Sequence, residues 1–203
     1  MGGSRSFQVG LRAEDLAIAR GTRTLFSDLS FSAPPGAFIA LRGPNGAGKT
    51  SLLRALAGFL RPSAGRVAFD GVEEPALALH LLGHRDGLKA PLDARAHVRF
   101  WAGLLGDDEG TIEPALVRVG LASIADLPAR ALSQGQARRL SLARLLAAPR
   151  AVWLLDEPSA SLDTAGKTLL ASLIDEHCAE GGVVIAAAHE DFERAPTQTI
   201  ALA

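Results

Sequence analysis

The stretch Gly43-Pro44-Asn45-Gly46-Ala47-Gly48-Lys49-Thr50 constrains the fold of this chain more than any other segment. It satisfies G-x-x-x-x-G-K-[ST], in which glycines let the backbone curl until several N–H groups converge on phosphate oxygens. The apolar run Ala37-Phe38-Ile39-Ala40-Leu41 reads as a buried strand entering that loop. A helix is expected from near Lys49, because Leu52, Leu53, Leu56 and Ala57 recur at helical spacing and Gly58 follows as a stop. The positive end of that helix adds to the anion site. Lys49 is then placed for β- and γ-phosphates and Thr50 for Mg²⁺, with Ser51 closing the phosphate-contacting stretch. Strand, loop and helix in this order argue against a mere glycine turn. They leave the nucleotide enzymes built on such loops, small-molecule kinases among them.

The rest of the chain supplies the sheet that such a loop needs. Leu16 to Ala19 and Leu29 to Phe31 read as strands of an edge sheet. Buried strands are expected at Ala151 to Leu155 and Val183 to Ala187, with a helix through Leu169 to His177 between them and a last short strand over Thr199 to Ala203. Strands alternating with helices indicate a parallel sheet with crossover helices. Between Pro91 and Leu132 helical patterns are broken by Gly106, Gly110, Pro114, Gly120 and Pro128, which marks an inserted helical lobe. The expected organisation is a flexible tail over residues 1–10 and one α/β domain over 11–203, with the lobe at about 91–148.

Two further segments select among nucleotide enzymes. The strand ending in Asp156-Glu157 delivers two carboxylates to the mouth of the site, one for the metal and one for the attacking water. A carboxylate of ordinary pKa, about 4.3, is a weak base, so Glu157 would act mainly by positioning in a partly dehydrated site. Upstream, Leu132-Ser133-Gln134-Gly135-Gln136 leads into the basic helix Ala137 to Arg144, whose Arg139 and Arg144 read as a solvated face.

Phosphate loop, signature and acid pair, in this order, resemble the ATP-hydrolysing domain of ABC (ATP-binding cassette) machines. The signature is similar to LSGGQ, with Gln134 in place of the first glycine. The resemblance implies a phosphate-loop NTPase fold with parallel core sheet, N-terminal antiparallel edge sheet and inserted helical lobe. It also implies ATP with Mg²⁺ and a head-to-tail dimer, in which Ser133, Gly135 and Gln136 of one copy cap the γ-phosphate held by the other. Ser161-Leu162-Asp163 matches the family's segment carrying contacts between the two sites, and His189, after Ala186-Ala187-Ala188, falls where these ATPases place a γ-phosphate-contacting histidine. The family's aromatic residue over adenine is here Arg20, before Gly21, which either stacks its guanidinium on the base or is simply solvated. The family's Mg²⁺-sensing glutamine is here His84, in Leu81-Leu82-Gly83-His84-Arg85-Asp86-Gly87-Leu88-Lys89.

A narrower resemblance rests on Arg20 to Phe26, Leu29-Ser30-Phe31, the Gly83-His84 loop with Gly87-Leu88-Lys89, and the small size. These look like the ATP-binding subunit of the haem exporter of cytochrome c maturation. That implies a peripheral protein on the cytoplasmic face of a bacterial inner membrane, docked on integral subunits of a haem-handling complex. Other readings are the ATPase of another ABC exporter, a soluble ABC protein acting on ribosomes or DNA, and a module that binds ATP without hydrolysing it.

Composition sets outer bounds. A formal charge of −1 over 203 residues gives no global case for wrapping nucleic acid. Cys178 is the only cysteine, which excludes an intrachain disulfide framework and reads as a buried small hydrophobe. No apolar run reaches the roughly 18 residues that span a bilayer, and Met1 to Ser6 lacks a secretion-signal core. His80, His97 and His177 carry no functional context, and no protein-only metal centre is expected.

Overall fold

The computed structural model describes residues 6–84, 86–106 and 109–203. Half of the expected 1–10 tail, together with Arg85 of the His84 loop, lies outside these residues. The chain divides into two compact units. The first runs to Gly83 and includes Arg150–Pro158 and Ala171–Ala203; the second comprises His84–Pro149 and Ser159–Leu170.

The first unit contains two sheets. β1 (Gly10–Arg20) pairs antiparallel with β2 (Arg23–Ala33) on one side and with β4 (Ala64–Asp70) on the other. The second sheet is parallel throughout, in the order β5 (Leu79–Leu82), β6 (Val152–Asp156), β7 (Val183–Ala187), β3 (Phe38–Arg42) and β8 (Gln198–Ala201). β6 and β7 are buried at every position, as continuous apolar runs covered on both faces must be. Register aligns their carboxyl ends, since Leu41 and Asp156 both stand opposite Ala187. That alignment sets the starts of the loops after β3, β6 and β7 at one edge, where parallel α/β sheets bind ligands.

The expected inner strands and last strand are present, and α1 (Lys49–Leu56) begins at the predicted lysine. Leu52, Leu53 and Leu56 are fully buried in the first core, and Gly58, at φ 78°, follows the last turn as a left-handed stop. Truncating one such leucine costs about 2–5 kcal/mol. β4 and β5 were not expected from the sequence. β4 has no fully buried residue and so no apolar period, and β5 is four residues long. Cys178 is buried, its Sγ 3.7 Å from the Ala37 carbonyl, and burial pushes its thiol pKa up. His177, on α5 (Thr164–Ala179), stacks on Trp153 at 3.9 Å between ring centroids. Its Nε2 lies 3.2 Å from the Ala151 carbonyl, which can only accept, so Nε2 carries the proton. Burial there lowers the His177 pKa to about 4.

The second unit packs α2 (Ala94–Leu104), α3 (Ile112–Arg118) and α4 (Gln134–Ala147) around Val98, Ala102, Leu116, Leu140 and Leu145. Asp93 caps α2 by accepting from the Ala96 amide, and Thr111 donates to the Ala147 carbonyl at 2.7 Å. The basic helix α4 is not the solvated face that its charges suggest. Arg138 is 3 % exposed and donates to Asp86 at 2.9 Å, while Ser141 donates to the same carboxylate. Arg144 lies 4.2 Å from the centre of the Trp101 ring, and burial lowers its pKa to about 10. The aromatic face offsets part of the lost hydration of the guanidinium, which a charge pattern alone does not reveal.

Candidate nucleotide site

Glycine geometry comes first. Gly43, Gly46 and Gly48 have φ of 144°, 85° and 103°, a left-handed series that curls the loop. At Gly43 a Cβ would lie 2.2 Å from the Leu202 carbonyl, and at Gly48 it would lie 3.0 Å from the Phe26 ring, so both positions exclude side chains. The loop closes on itself through the Ala47 amide, which donates to the Pro44 carbonyl. Gly48 is the N-cap of α1 and no side chain caps the helix, which leaves its first turn to an external anion.

Lys49 is 8 % exposed and its Nζ donates to the carbonyls of Gly43 at 2.6 Å and Pro44 at 3.1 Å, so the ammonium lies inside the curl. Thr50 Oγ1, on the first turn of α1, donates to Asp156 Oδ2 at the end of β6 at 2.8 Å. A hydroxyl and a carboxylate brought together beside a phosphate cradle are the hard oxygen donors that Mg²⁺ takes. Among the described residues no group of three or more His, Cys, Asp or Glu could hold a metal alone, so a cation here would also draw on phosphate oxygens.

Glu157 has a left-handed backbone, φ 52°, costing about 1–3 kcal/mol for a residue with a side chain. Its amide donates to the Ala187 carbonyl, which ends β6 against β7. Its Oε2 accepts from the His189 amide at 3.3 Å, and Oε1 lies 3.5 Å from His189 Nε2. The first unit therefore brings Lys49, Thr50, Asp156, Glu157 and His189 together. Arg20 ends β1 at a hairpin and is exposed.

Ser133, Gly135, Gln136 and His84 belong to the second unit. Ser133 is the N-cap of α4 and makes a capping box: its Oγ accepts from the Gln136 amide at 3.2 Å, and Gln136 Oε1 accepts from the Ser133 amide at 2.8 Å. Gly135 passes so close to Ser161 that a Cβ would lie 2.9 Å from its carbonyl. Ser161 is itself left-handed, at φ 64°. Arg139 donates to Asp163 at 2.6 Å, and this bond, with another from the Gly166 amide, holds Asp163 below the usual carboxylate range. The signature and the Ser161–Asp163 segment are thus joined within one unit. His84 is exposed. Sequence reasoning missed the capping box, although S-x-x-Q before a helix signals it, and missed the left-handed Glu157, which no local pattern reveals.

A glycine loop feeding an uncapped helix, with its lysine inside the curl and its threonine on a strand-end aspartate, defines a nucleotide-hydrolysing site; the signature helix beside Ser161–Asp163 narrows the class to ABC-type ATPases. A family model described as ABC transporter matches residues 26–160, and the chain belongs to that family. It is 47 % identical over 182 residues to a protein of Rhodopseudomonas palustris (strain HaA2) named cytochrome c biogenesis ATP-binding export protein CcmA, covering 88 % of this chain and 91 % of the relative. A protein of the same name from Rhodospirillum rubrum is 45 % identical over 195 residues, covering 93 % and 84 %. Among solved structures, an ABC transporter ATP-binding protein of Pyrococcus furiosus superposes with a TM-score of 0.84 at 24 % identity, covering 95 % and 97 %, which speaks to the fold. Among the described residues no helix is long and apolar enough to cross a membrane.

Proposed function

We propose that this ATPase is the energy-coupling subunit of a membrane complex that handles haem for cytochrome c maturation, lying peripherally on the cytoplasmic side of a bacterial inner membrane. The observation that carries the reading is identity of 44–48 % over most of the chain to relatives named for cytochrome c biogenesis. The integral partners bind or release haem-loaded species, and this chain supplies the nucleotide cycle.

Lys49 and the loop amides bind the β- and γ-phosphates, and Thr50 and Asp156 would hold Mg²⁺. The metal would supply charge neutralisation at the β- and γ-phosphate oxygens. Glu157 orients the attacking water, and the His189 imidazole, fixed beside the Glu157 carboxylate, reaches the γ-phosphate. Ser133 serves the second copy of the chain. Its oxygen already accepts from the Gln136 amide, so its own proton remains for a phosphate oxygen across a head-to-tail dimer. Gly135 and Gln136 hold that turn in place. Arg20 stacks on the base in place of an aromatic ring, and His84, where the family has a glutamine, would help to hold the metal.

The test is covalent-haem staining of cytochromes c in cells whose only copy of the chain carries Glu157→Gln, with its expression verified. Loss of stained cytochromes is expected. Normal staining overturns the haem reading and leaves an ABC exporter motor with another partner.

A further inference from the structure

Arg42 is the last residue of β3 and directly precedes the phosphate loop. Its backbone is held by β8, since its carbonyl accepts from the Leu202 amide at 2.8 Å. Its guanidinium crosses to the irregular segment after β7. There Nη1 donates to the Ala188 carbonyl at 2.9 Å and also to the Glu190 carbonyl, and Nη2 donates to Asp191 Oδ1 at 2.8 Å. The guanidinium carbon lies 5.6 Å from the centre of the Phe192 ring, which meets Phe38 edge-on at 5.1 Å. The carbonyls that Arg42 grips belong to the residues immediately before and after His189.

We propose that Arg42 is a positioning residue for ATP hydrolysis, clamping the His189 turn to the strand that carries the phosphate loop. The inference rests on the role given to His189 above. A planar, permanently charged fork is suited to bridging two carbonyls, and such charge-assisted bonds are about twice as strong as neutral ones. The side chain of Asp191 is fully exposed, so that ion pair contributes little and the carbonyls carry the effect. With Arg42 in place, His189 is fixed on both sides of its own backbone and through its amide on Glu157. Without it, the imidazole drifts from the γ-phosphate, and a misplacement of about 1 Å can cost about 100-fold in rate. The phosphate-binding amides and Lys49 do not depend on the clamp, so nucleotide affinity should survive.

The experiment uses the full chain carrying Arg42→Lys, with Asp191→Ala and His189→Ala as companions. Turnover at saturating ATP, the Kd of a non-hydrolysable ATP analogue, and amide hydrogen exchange over residues 188–192 are measured. For Arg42→Lys the expectation is a fall in kcat of about tenfold, a Kd within twofold of wild type, and faster exchange confined to the His189 segment. Asp191→Ala should match wild type in turnover. Unchanged kcat in Arg42→Lys overturns the proposal, as does a Kd that weakens in step with kcat. Exchange that accelerates across the whole sheet also overturns it, because it would mark a general structural role. If His189→Ala keeps full turnover, the histidine's role fails first; if it abolishes turnover while Arg42→Lys does not lower it, only the clamp fails.

Discussion

Two helix starts in this molecule solve the same electrostatic problem in opposite ways. Both α1 and α4 begin with the positive end of a helix beside a glycine, Gly48 and Gly135. α1 begins at left-handed Gly48 with no side-chain cap, whereas α4 is closed by the reciprocal bonds of Ser133 and Gln136. The first leaves backbone donors for a ligand to satisfy, so its order and its affinity are linked. The second satisfies the Ser133 and Gln136 amides itself and keeps the Ser133 hydroxyl proton to offer. On the proposed function, the difference suits α1 to holding phosphate and Ser133 to offering a proton.

The sharpest way to break this contrast is Lys49→Ala, which removes the charge inside the curl; turnover should fall by at least about 100-fold, measured as phosphate release. Wild-type turnover would show that the loop is not the site. Gly48→Ala comes next. It must adopt φ near 103° and push against Phe26, so analogue binding should weaken by about tenfold or more while the second unit stays folded. An unchanged Kd would mean that the left-handed cap is dispensable.

On the α4 side, Ser133→Ala removes a cap and should lower stability by about 1 kcal/mol in denaturant melts. Ser133→Asp restores an acceptor for the Gln136 amide but offers no proton, so it should recover stability without recovering turnover. Recovery of both would reduce Ser133 to a cap.

The last effect is absent at neutral pH and appears only in acid. His177 is neutral in the folded chain down to about pH 4, against 6.5 when unfolded. Because the unfolded chain binds the extra proton first, stability is full above pH 6.5 and declines as pH falls towards 4, by up to about 3 kcal/mol. His177→Phe keeps a ring against Trp153 and should flatten that part of the stability profile. A profile identical to wild type would place the acid sensitivity elsewhere.

What the sequence disclosed follows from range. The phosphate loop, the strand ending at Asp156 and the inner strands were legible because each is a continuous local pattern. β4 was not, because its residues are set by pairing with β1 from more than forty positions away and bury no regular face. Arg144 misled for a similar reason: its charge suggested water, and only tertiary packing places Trp101 beneath it. The left-handed turn at Glu157 and the reach of Arg42 to both neighbours of His189 depend on strands brought together by the fold. The capping box at Ser133 is different, since its spacing was present to be read.

The chain has two tryptophans and no tyrosine. Trp153 lies in the first unit, stacked on the neutral His177, and Trp101 lies in the second, against Arg144. Each unit therefore carries its own intrinsic fluorophore, free of phenolic background. Replacing either indole with phenylalanine leaves a single optical reporter, so the emission of one unit can be followed while ATP, acid or denaturant acts on both.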